Sequence, residues 1–88
     1  MGKPIIVYGT EWCGDTKRTR SRLESLGLDY QFLDIDSDHD AGRKVEQWNE
    51  GKRRVPQVEI DAKGNSTRLS VPADDELDAA LASAGFMP

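Results

Sequence analysis

Ile5-Ile6-Val7-Tyr8-Gly9-Thr10-Glu11-Trp12-Cys13-Gly14-Asp15-Thr16 runs from an unbroken apolar segment, through a polar break, to the single cysteine of the chain. An apolar run without polar alternation is what a strand covered on both faces requires. Pro4 to Tyr8 is therefore expected as a strand, with Gly9 to Trp12 as its end. A helix should follow from about Gly14 to Leu26. Thr16, Thr19, Leu23 and Leu26 recur at helical spacing, and Gly27 is placed to stop it. Cys13 then stands where a strand hands over to a helix.

Working outward, Leu28 to Ile35 holds Tyr30, Phe32 and Leu33 and reads as a second strand. Ser37 is expected to cap the next helix, with Asp40 completing an approximate capping box. Ala41, Val45 and Trp48 form that helix's buried stripe, and Gly51 ends it. Val55-Pro56-Gln57-Val58-Glu59-Ile60 is expected as a third strand. Asp61 to Asn65 is a hairpin turn, and Ser66 to Leu69 is the returning strand. Pro72 introduces a last helix, about Asp74 to Ala84, with Leu77, Ala80, Leu81 and Ala84 inward. The order β-α-β-α-β-β-α opens with a right-handed parallel βαβ unit and closes with a hairpin. It predicts an α/β fold with a four-stranded mixed sheet flanked by helices on both faces.

The 88 residues suit one domain, residues 1–88. Charged residues are 32% and hydrophobic residues 36%, a balance that fits a folded soluble chain and not a disordered one. A net charge of −4 argues against a general nucleic-acid binder. No apolar run approaches the roughly 20 residues of a membrane span. The apolar segment after Met1-Gly2-Lys3-Pro4 is too short for a secretory signal, so a cytoplasmic location without membrane attachment is expected. One cysteine excludes an internal disulfide, and one cysteine with one histidine excludes a compact Cys/His zinc site.

Cys13 carries the chemistry. Only the thiolate attacks a disulfide, and a free cysteine near pKa ~8.5 is mostly protonated at neutral pH. A helix N-terminus favours the anion through unpaired N–H groups and its partial positive charge. Thr16, three residues on, can turn its hydroxyl to the sulfur. Lys17, Arg18, Arg20 and Arg22 are expected to add positive field, and Asp15 to oppose it.

Trp12-Cys13-Gly14-Asp15-Thr16 after the first strand, Val55-Pro56 at the third strand and the element order together resemble the glutaredoxin family, and most of all its bacterial mycoredoxin-like and glutaredoxin-like members. The resemblance implies the thioredoxin-like fold and covers nearly the whole chain. It implies a thiol–disulfide oxidoreductase that reduces mixed disulfides between proteins and a small thiol, with Cys13 as nucleophile and Thr16 assisting. It implies a cis Pro56 facing the cysteine, so that the Val55 backbone can pair with a substrate's backbone. Trp12 would wall the groove. Lys52 and Arg53 fall where the family holds the glycine carboxylate of glutathione, and Asp75 falls where it holds the ligand's amino group.

The departures are as informative. The second cysteine of the usual Cys-x-x-Cys is Thr16, so the cycle would be monothiol. Thr10 stands where many members carry a lysine, and Pro72-Ala73 stands near where a double glycine precedes the last helix. No bound cofactor is expected. The co-substrate is left open among glutathione, mycothiol and bacillithiol, the partners are thiolated proteins, and the chain is expected to act as a monomer. Two other readings compete. One is a thiol-bridged dimer around an iron–sulfur cluster; the other is an adaptor that kept the fold without redox activity.

Overall fold

The computed structural model describes residues 3–62 and 64–87. Its elements are β1 (Ile5–Gly9), α1 (Gly14–Ser25), β2 (Gln31–Asp34), α2 (His39–Trp48), β3 (Gln57–Ala62), β4 (Asn65–Ser70) and α3 (Asp74–Ser83). The sheet order is β2-β1-β3-β4. β1 pairs with β2 in parallel, Val7 opposite Phe32, and with β3 antiparallel, Tyr8 opposite Gln57. β3 and β4 form the hairpin, Val58 opposite Leu69. The expected mixed sheet and element order are present.

The period of two in a strand divides the apolar residues between two cores. Ile5 and Val7 of β1 join Val58 and Ile60 of β3, Leu23 of α1, and Leu77 and Leu81 of α3 on one face. Tyr8 joins Ile35, Ala41 and Val45 under α2 on the other face, with Ile6, Leu33, Trp48 and Val55 packed around them. β1 thus has apolar neighbours on both sides, which is why its sequence does not alternate. Trp48 meets Tyr8 edge-on at 5.0 Å, and the Arg68 guanidinium lies 4.6 Å over the Trp48 ring.

Several boundaries differ from the sequence reading. Asp38 caps α2, its Oδ1 accepting the Ala41 N–H at 3.1 Å; the Ser37 hydroxyl instead donates to the Asp34 carbonyl at 3.3 Å. A side chain at Asp38 is three residues from Ala41, the spacing a cap needs. β2 is shorter than expected and holds only Gln31–Asp34, because only these residues pair with β1. β3 begins at Gln57, because Pro56 has no N–H to give a ladder. The hairpin strands reach into the expected turn, to Ala62 and from Asn65; Lys63 lies outside the described residues. Among the described residues, no helix is long and apolar enough to cross a membrane.

Candidate active site

β1 ends at Gly9, and the buried Thr10 leads into the loop that carries Cys13. Cys13 is the N-cap residue of α1, with extended backbone (φ −79°, ψ 124°), and its carbonyl accepts the Lys17 N–H at 3.0 Å. The thiol is free and half-buried. Burial pushes its pKa up, but the N–H and hydroxyl of Thr16 and the N–H of Asp15 outweigh burial and the Asp15 charge, so the net shift is below the ordinary thiol value. These are the donors that a helix start leaves unpaired. Among the described residues, the buried Thr16 hydroxyl forms no hydrogen bond of standard geometry, and the Thr16 backbone N–H gives the larger aid.

Close approach of α1 to β1 makes this possible. A Cβ on Gly9 would lie 2.6 Å from both Cγ2 and Oγ1 of Thr16. Gly9 therefore lets the first turn of α1 settle against the strand, with Thr16 fully buried beneath the thiol.

The cations of α1 do not act as expected. Arg18 donates to Asp15 at 2.7 Å and to the Pro72 carbonyl at 3.2 Å, with Asp74 at 3.7 Å. Arg20 lies 3.9 Å over the Phe32 ring and donates to the Tyr30 hydroxyl at 3.0 Å. Arg22 grips Asp78 of α3 with two N–H groups. Each guanidinium is directed to a fold contact, and neither these arginines nor Lys17 is among the causes of the Cys13 shift. The expectation failed because the helical rotation points successive residues to different neighbours.

Pro56 follows the cis bond directly before β3. Since Tyr8 faces Gln57, Pro56 lies at the end of the sheet where β1 runs into the Cys13 loop. Its carbonyl accepts the Val71 N–H at 2.8 Å, which brings the β4–α3 connection to the same edge. Val71 adopts φ 45°, a left-handed conformation that suits glycine and strains a β-branched residue. Arg18 holds this connection to α1 through Pro72 and Asp74. Asp75 is exposed, and its Oδ1 accepts the neighbouring Glu76 N–H at 2.9 Å.

Lys52 and Arg53 lie in the exposed segment between α2 and β3. The Arg53 guanidinium turns back to the β2–α2 loop, donating to the Ile35 carbonyl at 2.8 Å and to Oδ1 of Asp36 at 3.3 Å. The second carboxylate oxygen of Asp36 accepts the Trp12 indole N–H at 2.8 Å. Asp36 therefore joins the residue beside the thiol to a residue of the basic run, and it was missed in the sequence. A signal was available: β1 and β2 are parallel, and loops after parallel strands gather at one edge. Ile35 N–H donates to the Gly9 carbonyl at 2.9 Å, which ties the two loops together. Trp12 is 73% exposed, its ring open to solvent while its N–H is engaged. Among the described residues, no group of three or more His, Cys, Asp or Glu side chains is arranged to hold a metal.

Residues 5–64 match the glutaredoxin family model. Mycoredoxin 1 of Corynebacterium glutamicum is 40% identical over 55 residues, which is 61% of this chain and 66% of the relative's length. A glutaredoxin-like protein of Mycobacterium tuberculosis is 31% identical over 77 residues, 88% of each chain. Among solved structures, a mutated buckwheat glutaredoxin superposes with a TM-score of 0.67 at 24% identity, over 98% of this chain and 83% of that one. The strand-to-helix cysteine, the cis proline and these matches agree: the chain belongs to the glutaredoxin family.

Proposed function

We propose that the chain is a monothiol thiol–disulfide oxidoreductase acting on mixed disulfides between proteins and a small thiol. The observation that carries this is the lowered pKa of a half-buried thiol at the start of α1, produced by backbone N–H groups and Thr16. The Cys13 thiolate attacks the small thiol's sulfur in the mixed disulfide. A new disulfide forms between Cys13 and the small thiol, and the protein leaves as thiolate and takes a proton. A second small thiol, as thiolate, then attacks the small-thiol sulfur of that intermediate. The products are the small-thiol disulfide and the Cys13 thiolate, so the two small thiols are oxidised and the protein disulfide is reduced. No second cysteine is needed, which suits a chain with one.

Trp12, the Val55–Pro56 backbone and the edge near Asp75 would frame the groove, with Lys52 and Arg53 on its rim. Backbone pairing at Val55 would align the ligand's sulfur with Cys13 in the manner of an added strand. The mycoredoxin relative brings mycothiol forward as the co-substrate, with glutathione and bacillithiol as the other candidates. The chain needs no partner subunit for this cycle and is read as a monomer.

The test is reduction of a protein mixed disulfide prepared with each of the three thiols in turn. The wild type should release the protein thiol with at least one of them, and Cys13→Ser should be inactive with all. Equal turnover in Cys13→Ser, or none in the wild type with any thiol, overturns the reading.

A further inference from the structure

Asp36 is held from several sides. Its backbone N–H donates to Oδ1 of Asp34 at 2.9 Å, and the adjacent Ile35 N–H is bound to Gly9. Its carboxylate then receives the Trp12 indole on one oxygen and the Arg53 guanidinium on the other. Arg53 is fixed in turn by the Ile35 carbonyl. Gly42 lies against this pairing, and a Cβ there would press to 3.3 Å on the Ile35 oxygen that accepts from Arg53. A carboxylate on a planar guanidinium is the pairing that an incoming ligand carboxylate would also seek. Here the chain supplies that carboxylate itself, one side chain away from the residue before Cys13.

We propose that Asp36 is an internal anion that fills the carboxylate seat at Arg53, so that the site selects a small thiol uncharged at that end. The inference rests on the thiol–disulfide reading above and names its substrate class. A dicarboxylate thiol such as glutathione meets two obstacles: Arg53 is already engaged, and the Asp36 charge repels the approaching carboxylate. A thiol that offers hydroxyl or amide groups at that end meets neither. The Asp36 and Arg53 side chains are about half exposed, at 48% and 47%, so the selection is graded and not absolute.

The test is an NMR titration of the reduced protein with glutathione and, separately, with its monoethyl ester, which lacks the charge of the C-terminal carboxylate. The wild type should bind the two with affinities within about twofold. Asp36→Asn should favour glutathione over the ester by about threefold to fivefold, the scale of one exposed ion pair. Asp36→Ala should show the same preference, and adding Arg53→Gln to either should erase it. An unchanged ratio in both Asp36 variants, or a gain that survives Arg53→Gln, overturns the proposal. A ratio that moves as stated in a protein that reduces no mixed disulfide would overturn the oxidoreductase reading and leave the carboxylate seat standing. Active enzyme with an unmoved ratio would overturn the carboxylate seat and leave the oxidoreductase reading standing.

Discussion

The indole N–H of Trp12 donates to Asp36 at 2.8 Å across 24 residues of sequence. The residue beside the thiol is thereby anchored to the loop after β2. Trp12→Phe keeps an apolar ring and removes the donor. Because Trp12 is largely exposed, unfolding stability should fall by less than about 1 kcal/mol. On the proposed reading, in which Trp12 walls the groove, the apparent Michaelis constant for the mixed disulfide should rise, because the ring is no longer tethered. Denaturant unfolding and steady-state kinetics of the same variant check both halves.

Thr16→Val keeps the volume beneath Cys13 and removes the hydroxyl. Since that hydroxyl makes no standard hydrogen bond among the described residues, little is lost elsewhere. The Cys13 pKa should rise toward the ordinary thiol value and stay below it, because the N–H groups of residues 15 and 16 remain. The rate of alkylation against pH reports the midpoint directly, and the rate at pH 7 should fall.

The same shift has a signature in stability. A thiol whose pKa is lower folded than unfolded adds stability that is fully present above the unfolded value, about 8.5, and lost as pH falls through the folded value. Stability of the wild type should therefore rise with pH between those two values through this group. Cys13→Ser should remove that component of the rise, as seen by denaturant unfolding across the window.

Gly9→Ala places a methyl group 2.6 Å from Thr16. Either α1 retreats from β1 or Thr16 turns, and overpacking of this kind costs about 1–3 kcal/mol. The displacement also moves the donors that hold the thiolate, so the Cys13 pKa should rise with the loss of stability. Alkylation and thermal unfolding of one variant measure the pair of effects. Unchanged thiol reactivity in a destabilised protein would show that Gly9 serves packing alone.

Arg22 and Asp78 clamp α1 to α3 through two hydrogen bonds, one of 3.0 Å. Hydrogen bonding to Arg22 holds the Asp78 carboxyl below its usual range. Its contribution is present above the unfolded carboxylate pKa, about 3.9, and is lost as pH falls through the lower folded value. Asp78→Asn should destabilise the protein at neutral pH and flatten that part of its acid response, measured by thermal unfolding at several pH values.

Local patterns in the chain were enough for the architecture. The unbroken Ile5-Ile6-Val7 run, the helical spacing of Thr16, Thr19 and Leu23, and the turn residues around Gly64 are short-range signals that decide element type. Cys13 at a strand-to-helix junction followed from the same order. The cis Val55–Pro56 bond came from resemblance and is present in the structure.

What depended on side-chain direction was settled only by tertiary structure. The α1 arginines were readable as positive charge near a cysteine, but packing sends Arg18 to the α3 connection, Arg20 to aromatic rings and Arg22 to Asp78. Asp36 stood in the sequence among other acids, with nothing local to distinguish it from a solvated loop residue. Its role arises because β1 and β2 are parallel, which brings the ends of both strands to one edge and sets Asp36 between Trp12 and Arg53. A charge near a site in sequence acts on whatever its side chain reaches, and that reach is fixed by which elements pack together.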